Sequence, residues 1–102
     1  MNDVTASQGS ADDDLKRAAT ICNRRGLHAR AAAKFVKLAA TFDAQVTVAH
    51  RGTEVSGLSI MGLMMLAAAP GCCIELKAQG AQAVAALNAL CGLIEQKFDE
   101  ED

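Results

Sequence analysis

The chain reads as a single α+β domain in which helices cover one face of one β-sheet. Two observations predict this class. Strand-like and helical segments follow one another in the order strand, helix, strand, strand, helix, strand, helix. Each of the three helical segments carries an apolar stripe, and a shared sheet face is the surface best able to bury all three. With 102 residues the chain has room for one modest core.

Residues 15–22, LKRAATIC, form the expected first strand. Helical spacing follows at Ala32, Phe35, Val36 and Ala39, with Phe42 just beyond. AQVTVAH and TEVSG flank His50-Arg51-Gly52, a hairpin turn in which Gly52 supplies the unusual dihedral. His50, in this polar turn, is no candidate for chemistry. LSIMGLMMLAA at 58–68 is a short apolar helix stopped by Ala69-Pro70-Gly71. CCIELKA at 72–78 is a strand bounded by Gly71 and Gly80. In the last helix Val84, Leu87, Cys91, Ile94 and Phe98 lie along one stripe.

Composition excludes several classes. Hydrophobic residues are 51% of the chain, yet 21 residues are alanine and neither Trp nor Tyr occurs, so Leu, Ile, Val, Met and three Phe must build the core. A net charge of −2 is wrong for a general nucleic-acid binder, and so few aromatic residues offer little for bases to stack on. Residues 1–14, MNDVTASQGSADDD, lack the basic start and apolar run of a secretory signal, and no stretch is long enough to span a membrane. They read as a disordered acidic leader, residues 15–98 as the domain, and DEED at 99–102 as an acidic, frayed tail. A cytoplasmic location is expected, so Cys22, Cys72, Cys73 and Cys91 read as reduced thiols buried as small hydrophobes. Cys72 and Cys73 are adjacent in the expected strand and should point to opposite faces. That geometry, and the lack of a Cys-x-x-Cys pair, argue against a thiol metal carrier; no metal or cofactor is expected.

One stretch stands apart, RRGLHARAAAK at 24–34. If His28 is the N-cap of the first helix, Ala29, Arg30 and Ala31 form its first turn, whose amides have no intrahelical partner and point outward. Together with the helix dipole they favour an anion. A neutral imidazole there can act as a nucleophile, and Arg30 brings a planar fork matched to phosphate oxygens. Arg24, Arg25, Lys34 and Lys37 extend the positive surface. This chemistry suits reversible phosphorylation of a histidine. The same residues also fit a surface histidine that merely caps a helix, beside a solvated basic face.

GLHARAAAKFV at 26–36 resembles the active-site motif of the HPr family, the histidine-containing phosphocarriers of the phosphoenolpyruvate-dependent phosphotransferase system. LSIMGLMMLAA is similar to that family's regulatory-serine segment, in the expected order, and the likeness runs from about residue 15 to about residue 98. Both segments are most like versions found in alphaproteobacteria, including nitrogen-related systems. The resemblance implies an open-faced β-sandwich, four antiparallel strands covered on one face by three helices. It implies that the chain is a carrier rather than an enzyme. His28 would accept a phosphoryl group on Nδ1 from phospho-Enzyme I and pass it to an EIIA-type protein. Arg30 would assist, and the backbone of Ala29, Arg30 and Ala31 would hold the phosphoryl oxygens.

Many family members carry proline where this chain has Ala31. Alanine restores an N–H that proline lacks and loosens the first turn, so one more donor is expected near the phosphoryl site. Ser59 matches the family serine that an HPr kinase phosphorylates in some lineages; it is also a natural N-cap for a helix starting at Ile60. That helix is too short to bury Ile60, Met61, Leu63, Met64, Met65 and Leu66 together. Leu63, with Met61 or Met64, is expected outside. By resemblance Arg24, Arg25, Lys34, Ile60, Met61, Leu63 and Met64 dock Enzyme I and the EIIA acceptor. A monomer is expected. The alternative is a purely regulatory binding module of a nitrogen-type system, controlled through Ser59; relatives of that kind lack the histidine.

Overall fold

The computed structural model describes residues 15–100, so the expected leader at 1–14 and the last two residues of the acidic tail lie outside the described residues. The elements are β1 (Lys16–Thr20), α1 (Ala29–Ala39), β2 (Gln45–His50), β3 (Thr53–Ser56), α2 (Ile60–Met65), β4 (Cys73–Gln79) and α3 (Ala83–Glu95), closed by a 3-10 turn at Lys97–Asp99. The four strands form one antiparallel sheet in the order β1-β4-β2-β3. This is the open-faced α+β sandwich that the sequence predicts.

Strand periodicity sets the inner face. Val46 and Val48 on β2 alternate with more exposed neighbours, as do Ile74, Leu76 and Ala78 on β4. Phe35 from α1, Leu63 from α2 and Leu87, Leu90 and Ile94 from α3 fill the space above them. Fully burying a side chain of this size stabilises the fold by about 1.5–3 kcal/mol. On the open face Lys77 and Glu54 pair at 2.8 Å, an exposed contact of the kind that contributes little. The β2–β3 turn places both Arg51 (φ 51°) and Gly52 (φ 83°) in the left-handed region. Two such residues match the twist of a tight hairpin.

Several expectations are corrected. Leu63 is fully buried, because it is the α2 side chain that faces the core, and the helix leaves Ile60, Met61, Met64 and Met65 outside instead. Helix α2 ends at Met65 rather than at Ala69-Pro70-Gly71, since Ala67 turns left-handed (φ 52°) before the proline is reached. Val84 lies off the buried stripe of α3, which runs through Ala83, Ala86, Leu87, Leu90 and Ile94. Phe98 is buried but follows the end of α3, and a left-handed backbone carries it into the core. The cysteines are not core residues: Cys22 and Cys73 are exposed, while Cys72 and Cys91 pack only at the core's edge.

Ser59 caps α2. Its backbone is extended, and its Oγ accepts from the Gly62 N–H at 2.9 Å. A helix of only six residues has little cooperativity of its own to hold it. Ser59→Ala is therefore expected to lower stability by about 1 kcal/mol, read as a fall of several degrees in a thermal melt. An unchanged midpoint would show that the cap bears no weight.

Candidate functional site

The loop from β1 into α1 is built on Gly26 and Asn23. Gly26 is left-handed (φ 69°), and its carbonyl accepts from the His28 N–H at 2.9 Å and from Asn23 Nδ2 at 2.7 Å. Next in the chain, buried Leu27 donates its N–H to the Ala68 carbonyl at 3.0 Å, which ties the loop to the segment after α2. The sequence thus holds the start of α1 from both sides.

His28 is the N-cap of α1, with an extended backbone. Its carbonyl accepts the Ala32 N–H at 2.8 Å, and its Nδ1 accepts the Arg30 N–H at 3.3 Å. On the opposite edge of the ring, Nε2 meets a carboxylate oxygen of Glu100. A ring nitrogen that accepts from an N–H carries a lone pair, and one facing a carboxylate carries the proton. These partners fit the tautomer protonated on Nε2, with a lone pair on Nδ1.

Around the imidazole lies a cleft of about 390 Å³ lined by Arg24, Arg25, Arg30 and Lys34, together with Asp99 and Glu100. Four cations converging on a helix N-terminus create a site for a multiply charged anion. Lys34 also donates from Nζ to the Phe98 carbonyl at 2.7 Å, so this cation is positioned by the C-terminal turn. Arg24, Arg25 and Arg30 are exposed. The first-turn amides are less open than expected. Ala31 is fully buried, so its N–H does not face solvent, and Arg30 spends its N–H on the imidazole; Ala29 is exposed.

Two participants were not among the candidates read from the sequence. Asn23 is completely buried and donates to Glu100 Oε1 at 3.0 Å as well as to Gly26. Glu100 belongs to the segment expected to fray, yet its side chain is only 14% exposed. Burial works against its ionised form, but hydrogen bonds from Asn23 and His28, with the positive charge of Arg25, outweigh it and hold the carboxyl below its usual range. Ile60, Met61, Met64 and Met65 add an exposed apolar patch on α2, which packs beside α1. Exposed apolar patches of this kind, rimmed by polar residues, occur at interaction sites of many proteins.

The family model for the PTS HPr component phosphorylation site matches residues 15–96. The chain is 48% identical over 86 residues to the phosphocarrier protein NPr of Shewanella violacea, covering 84% of this chain and 94% of that protein. It is 49% identical over 86 residues to the phosphocarrier protein HPr of Neisseria meningitidis, covering 84% and 97%. Among solved structures, HPr-C-His from Thermoanaerobacter tengcongensis superposes with a TM-score of 0.81 at 41% identity, covering 85% of this chain and 98% of that one.

Proposed function

The chain belongs to the HPr family of phosphotransferase-system phosphocarriers, and from that premise we propose that His28 is its phosphoryl acceptor. Phospho-Enzyme I is the donor and an EIIA-type protein the recipient, with the exchange taking place in the cytoplasm. The observation that carries this reading is the pose of one side chain. His28 stands at a helix N-terminus, its Nδ1 lone pair assigned by its partners, beside a cleft of four cations.

Transfer needs little from the protein beyond position and charge. The Nδ1–P bond forms as the donor's bond to phosphorus breaks, and the departing group keeps the electron pair. Once Nδ1 is bonded to phosphorus it no longer accepts from the Arg30 N–H, and that donor becomes available to a phosphoryl oxygen. The Arg30 guanidinium adds charge from the exposed side. A carrier of this kind is consumed and regenerated by its partners and has no turnover of its own. Arg24, Arg25 and Lys34 with Ile60, Met61 and Met64 form the docking face; Leu63, being buried, is not part of it.

Ser59 is a regulatory site in this reading. Its hydroxyl already points at the first turn of α2, where a phosphate is tolerated, and the added charge would meet partners beside the docking patch. Incubation with Enzyme I and labelled phosphoenolpyruvate tests the carrier role. Acid-labile, base-stable label is expected on the chain, and its absence would overturn the assignment. With ATP and an HPr kinase, an acid-stable phosphate that disappears in Ser59→Ala is the expected mark of regulation.

A further inference from the structure

The C-terminal turn brings a carboxylate to the one imidazole nitrogen that the transfer leaves untouched. Lys97, Phe98 and Asp99 are consecutive left-handed residues (φ 59°, 55° and 62°), a conformation that non-glycine residues adopt only where the surroundings impose it. The surroundings here are specific. Phe98 is fully buried, Lys34 Nζ holds the Phe98 carbonyl, and Asn23 Nδ2 holds Glu100 Oε1, leaving Oε2 for His28 Nε2. Asn23 has no exposure at all, so its grip on Glu100 is not a chance surface contact.

From this geometry we infer that Glu100 is a positioning residue for phosphoryl transfer, holding His28 in the tautomer that presents its Nδ1 lone pair and balancing the charge that forms on the ring. The inference rests on the reading of His28 as the acceptor. In the transfer, neutral His28 attacks phosphorus through Nδ1, the donor's bond to phosphorus breaks, and the donor keeps that electron pair. The Nε2 proton stays where it is, so the ring becomes an N-phosphoimidazolium. Its positive charge then lies against the Glu100 carboxylate. A carboxylate that fixes an imidazole's tautomer and orientation and stabilises its cation acts in the same way in hydrolytic triads. The Nε2–Glu100 contact also leaves the Nδ1 edge clear for the phosphoryl group, and Arg24, Arg25, Arg30 and Lys34 offset the repulsion between that group and the carboxylates of Glu100 and Asp99.

Nitrogen-15 spectroscopy of the His28 ring, run beside transfer kinetics with Enzyme I, tests the inference. The wild type is expected to show a single tautomer with an exchange-protected Nε2–H. Glu100→Ala is expected to lose that protection and to slow phosphorylation by about tenfold or more, with the fall in kcat rather than in KM. Glu100→Gln, whose carbonyl can still accept from Nε2–H, is expected to keep the ring signature and transfer at a rate between the two. A Glu100→Ala protein with a wild-type rate overturns the inference, and so does a slowed one whose ring signals are unchanged. Neither result touches the carrier reading, which fails if the wild type takes no label or if His28→Ala takes as much label as the wild type.

Discussion

His28→Ala is expected to take no label from phosphoenolpyruvate and Enzyme I, while remaining folded. The expected loss of acid-labile, base-stable label is complete because the cleft holds no second imidazole: its remaining side chains are arginines, a lysine and two carboxylates. Stability responds much less. As N-cap, the imidazole accepts one amide hydrogen at 3.3 Å, and removing such a cap costs about 1 kcal/mol. His28→Asn separates the two roles, since asparagine is a strong cap without a transferable-phosphoryl acceptor. Its melting midpoint is expected to match the wild type within a few degrees, with labelling still absent. Equal label on wild type and His28→Ala would place the acceptor elsewhere in the chain and end the assignment.

Much of this was legible in the residues, for physical reasons that differ from element to element. The hairpin at 51–52 and the caps at His28 and Ser59 are local devices, set by side chains within three residues of the backbone they serve. A sequence displays such devices directly. The buried side of α2 is not local. Five of its six residues are large and apolar, and only tertiary packing decides that Leu63 goes in while Met61 and Met65 stay out.

The site divides in the same way. His28 and Arg30 are two residues apart, so their proximity is written in the chain. Asn23 and Glu100 are separated by 77 positions and meet only because Phe98 is drawn into the core, which turns Asp99 and Glu100 back towards α1. The one available signal was Phe98 itself: a large aromatic side chain three residues after the helix requires the backbone to reverse. Read as a continuation of the α3 stripe, it instead hid the turn that delivers the carboxylate.

Gly26 carries the second large effect. A Cβ at this position would lie 2.6 Å from the Ala68 carbonyl oxygen and 3.2 Å from Ala69 Cα, both backbone atoms with little freedom to retreat. The φ of 69° adds the left-handed penalty of about 1–2 kcal/mol for any L side chain. Overpacking of this severity adds about 1–3 kcal/mol, so Gly26→Ala is expected to destabilise the fold by about 2–5 kcal/mol. Gly52→Ala is the natural control. It shares the positive φ (83°) but nothing lies within 4 Å of its would-be Cβ, so only the conformational penalty applies. Denaturant melts of the two variants separate the steric part from the dihedral part, and equal losses would show that the close approach to Ala68 is not present in solution. The consequence for transfer follows from the same contact. Ala68 also accepts the Leu27 N–H, and the Gly26 carbonyl fixes both His28 and Asn23. Pushing the loop away from α2 therefore shifts His28 and the side chain that holds Glu100 together. Phosphorylation of Gly26→Ala, measured where the protein is still folded, is expected to fall by more than the unfolded fraction accounts for, whereas Gly52→Ala transfers at the wild-type rate.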